Sequence, residues 1–588
     1  MSHAYAAASR ARRAVGALVL LLGLGVLTAC VQMPTQGPLV RVDPQTTDED
    51  DAGGFYDPRP PVGGADPEEI VLGFLEAMKA TPVKTSVASE FLTERAQRAW
   101  SPEKGTITYS DFGPAVGLTR VRVPLVEAHR YDHRGAWQRR LPAGQATLSF
   151  PMVIEGEEWR IDAAPDALVV PESWFADGFQ PASLYFLDPS GTLLVPEPVH
   201  VPGGDQMATA LVRGLLAGAP DPAVSRGALP SGGRLAMNSV PINADGVADV
   251  VVEDVEGTFD SGAAEEMLAQ LTWTLRQVPR VKQVRLTVDE RAVTLDDGVR
   301  EVAVQSGLSF SPLGVSSSRD LFALVGGRLV RGDFENFSPT AGALGAGEVG
   351  VRSVGVSLDG TRAVGVSSDG RSAVRAVLEK GAAPDTVLTG ASGLLRPVFD
   401  FSGRVWFVDR APSGARVQVM GPDEDPVEVD VPGVSGEDVT LFLVSRDSSR
   451  LVAVVRGPAQ DRLVVSRIEH SPAGGLPRFT RARAIARRGD AARRVTDIGW
   501  RSPVTLALLG SVTPDLAQVR LLSVDGAPGE RGTNAATRVR GEARRLVSSP
   551  VEGDGTYVVT ADQILDLAKP ARDLPTPGQG PSWFGFVG

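Results

Sequence analysis

Cysteine is nearly absent from this chain of 588 residues: there is one, Cys30. A single thiol excludes an internal disulfide and excludes a metal site built from several cysteines. Histidine is also scarce, with five residues, and no Gly-x-Ser-x-Gly turn occurs. Zinc-hydrolase and acyl-transfer chemistry therefore have little to draw on. Positive charge is in deficit: the net charge is −12, and it becomes −15 without residues 1–29, which hold three arginines and no acid. Such a surface repels nucleic acid, and no nucleic-acid partner is expected. The apolar run Ala14–Leu27 is too short for a comfortable membrane span, which needs about 20 residues.

What is present explains the solitary thiol. Arg10, Arg12 and Arg13 precede the apolar run, and small residues follow it just before Cys30, the layout of a secretory signal over 1–29. Ala14, Val15 and Gly16 after Arg12-Arg13 do not support twin-arginine export, so the general secretory route is expected. Leu27-Thr28-Ala29-Cys30 resembles a bacterial lipobox. That resemblance implies cleavage after Ala29, a diacylglycerol on the Cys30 sulfur and an acyl group on its new amino terminus. Stable anchoring needs more than one chain at about 0.8 kcal/mol per buried CH₂, and this modification supplies it. The competing readings are an uncleaved signal anchor and a secreted protein with an incidental cysteine.

Residues 30–65 are rich in Pro, Gly and Asp and read as an acidic tether. Asp48, Glu49, Asp50 and Asp51 lack the alternating ligands and central glycine of a calcium loop, so no metal is assigned to them. An N-terminal α+β domain is expected over 66–177. Asp66 is placed to cap a helix that begins at Pro67, with Ile70, Val71, Phe74, Leu75 and Met78 on one face. Alternating strands follow after Pro102. His129 and His133 fall among them, and residues four apart in a strand are separated by about 13 Å, too far to share an ion.

Residues 183–291 read as strand, turn and strand in "SLYFLDPSGTLLVPEPVHV", a helix through Met207, Leu211 and Leu215, and strands in "RLAMNSVPINADGVADVVVE" turning at Ala-Asp-Gly. A helix "SGAAEEMLAQLTWTLRQVP" and a strand "VKQVRLTVD" close a β-α-β-β-α-β plan. The segments "LLAGAPDP", "ALPSG" and "LTWTLRQVP", in this order, resemble a GerMN domain. That implies an association with cell envelopes or spore coats and a suspected ligand-binding role. Taken singly, Trp273, Thr274, Leu275 and Val278 read as helix core.

From 307 to 571 six β-rich pairs recur, their first strands starting near 321, 363, 404, 451, 504 and 557. A repeat of that length indicates propeller blades, about six of them. Turn clusters "SLDGTR", "DFSGR" and "SRDSSR" precede three pairs, and Asp359, Asp369 and Asp447 read as turn residues. Acids from different blades meeting near the axis would leave glycoside cleavage open. Residues 572–588 form a C-terminal tail in which Trp583, Phe584 and Phe586 either seal the last blade or offer an apolar contact. Arg478, Arg481, Arg483, Arg487, Arg488, Arg493 and Arg494 are read as a solvated loop or as a site for an anionic glycan or acidic protein. Trp406, Trp500 and Trp583 are read as core aromatics or as platforms for sugar rings.

Lipobox, acidic tether, small α+β domain, GerMN domain and propeller, in that order, resemble the LpqB family of actinobacterial lipoproteins. The resemblance implies a protein anchored by lipid to the extracytoplasmic face of the cell membrane. It also implies contact with the extracellular region of an MtrB-like sensor histidine kinase, modulating a two-component system that governs cell-wall metabolism and division. The family brings no catalytic residue or cofactor to carry over, so Cys30 alone receives a site assignment and no enzymatic activity is expected. The alternatives are a cell-wall glycan or peptidoglycan-binding protein and an envelope hydrolase.

Overall fold

The fold was analysed in a computed structural model that describes residues 56–255, 261–295, 298–314, 317–334, 336–471, 475–485, 494–528, 537–560, 563–568, 573–574 and 582–588. Cys30, the signal segment and the acidic run at 48–51 lie outside these residues, as do Arg487, Arg488 and Arg493. No helix among the described residues is long and apolar enough to cross a membrane.

The N-terminal domain opens with the helix Pro67–Ala77, where the Glu69 carboxylate accepts from the Asp66 amide at 3.3 Å. Its buried face, with Ile70, Val71, Phe74 and Leu75, lies inside a curved wall of two four-stranded sheets. Gly105–Tyr109 runs antiparallel to His129–Asp132 and parallel to Leu168–Pro171. Arg120–Val126 alternates exposed and buried residues as a sheet with one wet face must. Phe74 meets Phe150 edge-on at 5.9 Å, which ties helix to sheet.

In the middle domain Phe179–Leu187 and Leu194–Pro202 pair over nine residues as a two-stranded ribbon. The helix Met207–Leu216 buries Met207, Leu211 and Leu215 on one face. Val247–Glu253, the helix Ser261–Leu275 and Gln283–Val288 form a β-α-β unit with parallel strands. The hairpin expected at 234–253 is mostly irregular: Arg234–Leu235 pairs with Val252–Glu253, and Ile242 bridges Ala248. Pro241 and the turn Asn243–Gly246 interrupt the ladder there.

Six sheets follow among the described residues, five of four strands and the fourth of five, forming a ring of blades. The second strands begin at Leu321, Arg362, Val405, Arg450, Thr505 and Thr556, within a residue of the starts read from the repeat. In every blade the recognised pair is the second and third strand. The second strands are largely buried between neighbouring blades, and Arg450–Val455 is buried along its whole length, whereas third strands such as Arg328–Gly332 keep exposed charges. The inner strands, such as Val398–Phe399 and Val439–Val444, are shorter or bulged and carry a weaker pattern.

Residues 582–588 belong to the ring and are not a tail beyond it. Trp583–Gly585 is the inner strand of the first blade, with Trp583 opposite Leu324 and Gly585 opposite Phe322. The ring closes by joining strands from its two ends, which removes the unpaired edge that an open sheet would expose.

Candidate functional site

The middle domain and the propeller are held together through a buried ionic cluster that sequence reasoning did not single out. Glu197 lies in the ribbon strand Leu194–Pro202, on the same side of the strand as Val199 and Val201, with its carboxylate turned to the propeller. It is 7% exposed, and Arg450 is 2% exposed. Arg450 Nη2 donates to Glu197 Oε2 at 3.0 Å and to the Pro196 carbonyl at 2.7 Å. Arg467 Nη1 donates to the same Oε2 at 2.8 Å, and its Nη2 bonds Oε1. Arg450 and Arg467 face each other on adjacent strands of the fourth blade, so one carboxylate bridges two guanidinium groups. Burial pushes the Glu197 carboxyl up, but Arg467 and Arg450 outweigh that and hold it below the usual carboxylate range. The signal was present in sequence as an acid inside "LLVPEPVHV" and an arginine heading "RLVAVV". Nothing in one sequence pairs them.

Other contacts join the middle domain to the ring and to the segment that leads into it. Phe401 packs against Leu193, Val195 and Val224, and Trp273 donates its Nε1–H to the Gly307 carbonyl at 2.8 Å. Arg276 lies 3.6 Å over the Trp273 ring and donates to the Val304 carbonyl at 2.7 Å. The helix residues read as core are core: Trp273, Thr274, Leu275 and Val278 are all buried. Trp273 also fastens the segment that leads into the ring.

At the ring axis the inner strands surround a cavity of about 40 Å³, lined by Arg396, Arg446, Trp500 and the segment Gly585–Gly588 among others. That volume holds a water molecule and no substrate. No Asp or Glu side chain is among its lining residues. Arg446 donates to the Val587 carbonyl at 3.0 Å, while its Nη1 is buried without a hydrogen-bond partner. Burial lowers the Arg446 guanidinium to about 10. The buried acids of the ring serve structure instead. Asp400 accepts from Trp406 Nε1 at 2.9 Å, and Asp497 accepts from the Leu546 amide of the next blade at 2.9 Å. Burial raises both carboxyls above the ordinary value.

The remaining sequence candidates separate cleanly. Trp406, Trp500 and Trp583 are buried, so none is a platform for sugar rings. Asp359 accepts from the Thr361 amide at 3.1 Å, Asp369 from the Arg371 amide at 3.0 Å and Asp447 from the Ser449 amide at 2.9 Å, which is turn capping in each case. His129 accepts from Trp137 Nε1 at 3.2 Å, and His133 stands in the following turn beside Arg134. Arg494 clamps Asp461 at 2.8 Å, whereas Arg478 is exposed and 3.7 Å from Glu469. The described part of the arginine group is thus divided between an internal clamp and a solvated face.

Comparison with known proteins follows the same three parts. A family model described as Lipoprotein LpqB, N-terminal domain, matches residues 60–176, and one described as Lipoprotein LpqB beta-propeller domain matches 327–569. The model Germane, described as Sporulation and spore germination, matches 183–294 between them. A lipoprotein LpqB from Streptomyces coelicolor is 28% identical over 95% of this chain and 93% of its own. Another from Mycobacterium tuberculosis is 27% identical over 78% of this chain and 80% of its own. Among solved structures, the first GerMN domain of the sporulation protein GerM from Bacillus subtilis aligns at 20% identity, covering 22% of this chain and 99% of that one with a TM-score of 0.19. With an N-terminal domain, a GerMN-like domain and a propeller in one envelope lipoprotein, the chain belongs to the LpqB lipoprotein family.

Proposed function

We propose that this protein is an extracytoplasmic regulatory lipoprotein, anchored through Cys30, that acts by contact with the sensor region of an MtrB-like histidine kinase and performs no turnover. In this reading the acidic tether lifts the folded domains off the bilayer, and the kinase contact adjusts signalling to cell-wall metabolism and division. The observation that carries it is the Glu197, Arg450 and Arg467 cluster, which makes GerMN domain and propeller one body. A body of that kind can transmit a contact made on one domain to the other. The small size of the cavity among the inner strands, about 40 Å³, supports a role played on the outer surface.

The test is capture of the full-length lipoprotein, in detergent, on the immobilised extracellular domain of the sensor kinase from the same cell. Saturable binding, retained when salt is raised and lost when the lipoprotein is heat-denatured, is expected. No binding at high micromolar concentration would remove the kinase from the function and leave an envelope lipoprotein with another partner. Anchoring is tested separately: Cys30→Ala is expected to release the protein from membranes or leave its signal uncleaved.

A further inference from the structure

A cleft of about 580 Å³ separates the N-terminal and GerMN domains, a size suited to a small ligand. Its walls are fixed by contacts that leave little play. The His200 amide donates to the Gly135 carbonyl at 2.8 Å, and the Gln206 side chain bonds both the amide and the carbonyl of Val83 at 3.1 Å. Gly135 has φ of +83°, and a Cβ there would meet the His200 carbonyl oxygen at 2.1 Å, so the close approach depends on glycine.

One side of the cleft is aromatic. Phe175 stacks on Phe179 at 4.5 Å between ring centroids, and His200 lies 5.3 Å from Tyr131 and 5.7 Å from Phe175. Phe179 and His200 are only partly buried and present ring surface to the opening.

The charges are unevenly matched. Asp132 accepts from the Arg134 and Ala136 amides at 2.9 and 3.0 Å and from Gln138 at 3.2 Å. Asp205 pairs with Arg280 at 2.8 Å, and Lys84 with Asp57 at 2.8 Å. Glu103, the remaining acid of the lining, is exposed. Arg213, by contrast, is exposed and donates to the neutral Asn238 carbonyl at 2.6 Å, with no carboxylate paired to it among the described residues. Arg134 Nε is buried, makes no hydrogen bond and stands 3.8 Å from Asp132 Oδ2. A buried donor of this kind gains from an incoming acceptor.

We propose that this cleft binds a carboxylate-bearing sugar ring: the ring lies on Phe179 and His200, and the carboxylate reaches Arg134 and Arg213. The inference goes beyond the kinase contact and does not depend on it.

Calorimetric titration of the full-length lipoprotein in detergent tests it with two probes that share a ring: N-acetylmuramic acid, which carries a carboxylate, and N-acetylglucosamine, which does not. N-acetylmuramic acid is expected to bind saturably, and N-acetylglucosamine at least about tenfold more weakly. Arg213→Gln, an exposed substitution expected to leave the melting temperature of the free protein unchanged, should weaken the first probe about tenfold. Phe179→Ala should weaken both probes together. Absence of saturable N-acetylmuramic acid binding up to about 10 mM overturns the proposal. Equal affinity for the two probes overturns the carboxylate assignment, and indifference to Arg213→Gln overturns the location.

Discussion

Glu197 Oε2 stands 3.0 Å from Arg450 Nη2, joining residues 253 apart in sequence across the boundary between GerMN domain and propeller. Both groups have left water, so neither tolerates losing the other. A carboxylate with two guanidinium partners compensates its desolvation where a single pair often does not. The cluster therefore fixes how two separately folded units meet.

Glu197→Gln keeps the shape and removes the charge, leaving Arg450 with only Asp447, 3.8 Å away, and Arg467 without its paired carboxylate. A loss of about 3–5 kcal/mol is expected, read by denaturant unfolding. The two domains should then unfold in separate steps. A loss below about 1 kcal/mol would show that the cluster is not what joins them.

Acid should weaken the same junction. The folded Glu197 carboxyl is held below its ordinary value of 4.5, so its contribution is fully present above that pH and is lost as pH falls from there through the folded value. The difference in melting temperature between the natural protein and Glu197→Gln should be constant at neutral pH and shrink below about 4.5. Taking the difference isolates Glu197 from Asp400 and Asp497, whose raised values act in the opposite sense.

Trp583→Ala should open the ring. Its side chain is buried between the first and second blades with Phe322, Leu324 and Val354, and emptying such a site costs about 3–5 kcal/mol. Protease should then cut first in the first blade. Unchanged resistance would mean that closure rests on the backbone ladder alone.

Arg446→Met should be neutral or should stabilise the ring by about 1–2 kcal/mol. The guanidinium is desolvated enough to fall to about 10 and has one nitrogen without a partner. Methionine follows the same path without that burden. A destabilisation greater than about 1 kcal/mol would show that the Val587 contact outweighs the buried charge.

The blades were legible because their middle strands are buried on both faces, which concentrates valine and leucine at a regular spacing. "RLVAVV" and "VWFV" announce themselves without any partner in view. The inner strand of the first blade was not legible as such: Trp583, Phe584 and Phe586 advertise burial, but their partner strand, Leu321–Val325, lies in a distant part of the chain. The same holds for the junction and the cleft. Glu197 reads as an oddity in an apolar strand, and Arg134 as a turn residue, until tertiary contacts bring Arg450 to one and the wall containing Arg213 to the other. Trp406 and Trp500 were open to both readings, since indole rings suit both a core and a sugar face, and their burial decides for the core.

Ring closure by Trp583–Gly585 has a consequence for the order of assembly. Ser582 donates to the Leu324 carbonyl across 258 residues, so the first blade lacks its inner strand until the five later blades have been synthesised. Leu321–Val325 waits until then with an unpaired edge. Closure of the ring is thereby timed to the end of synthesis. A chain halted earlier presents an open sheet edge, a ready site for mispairing.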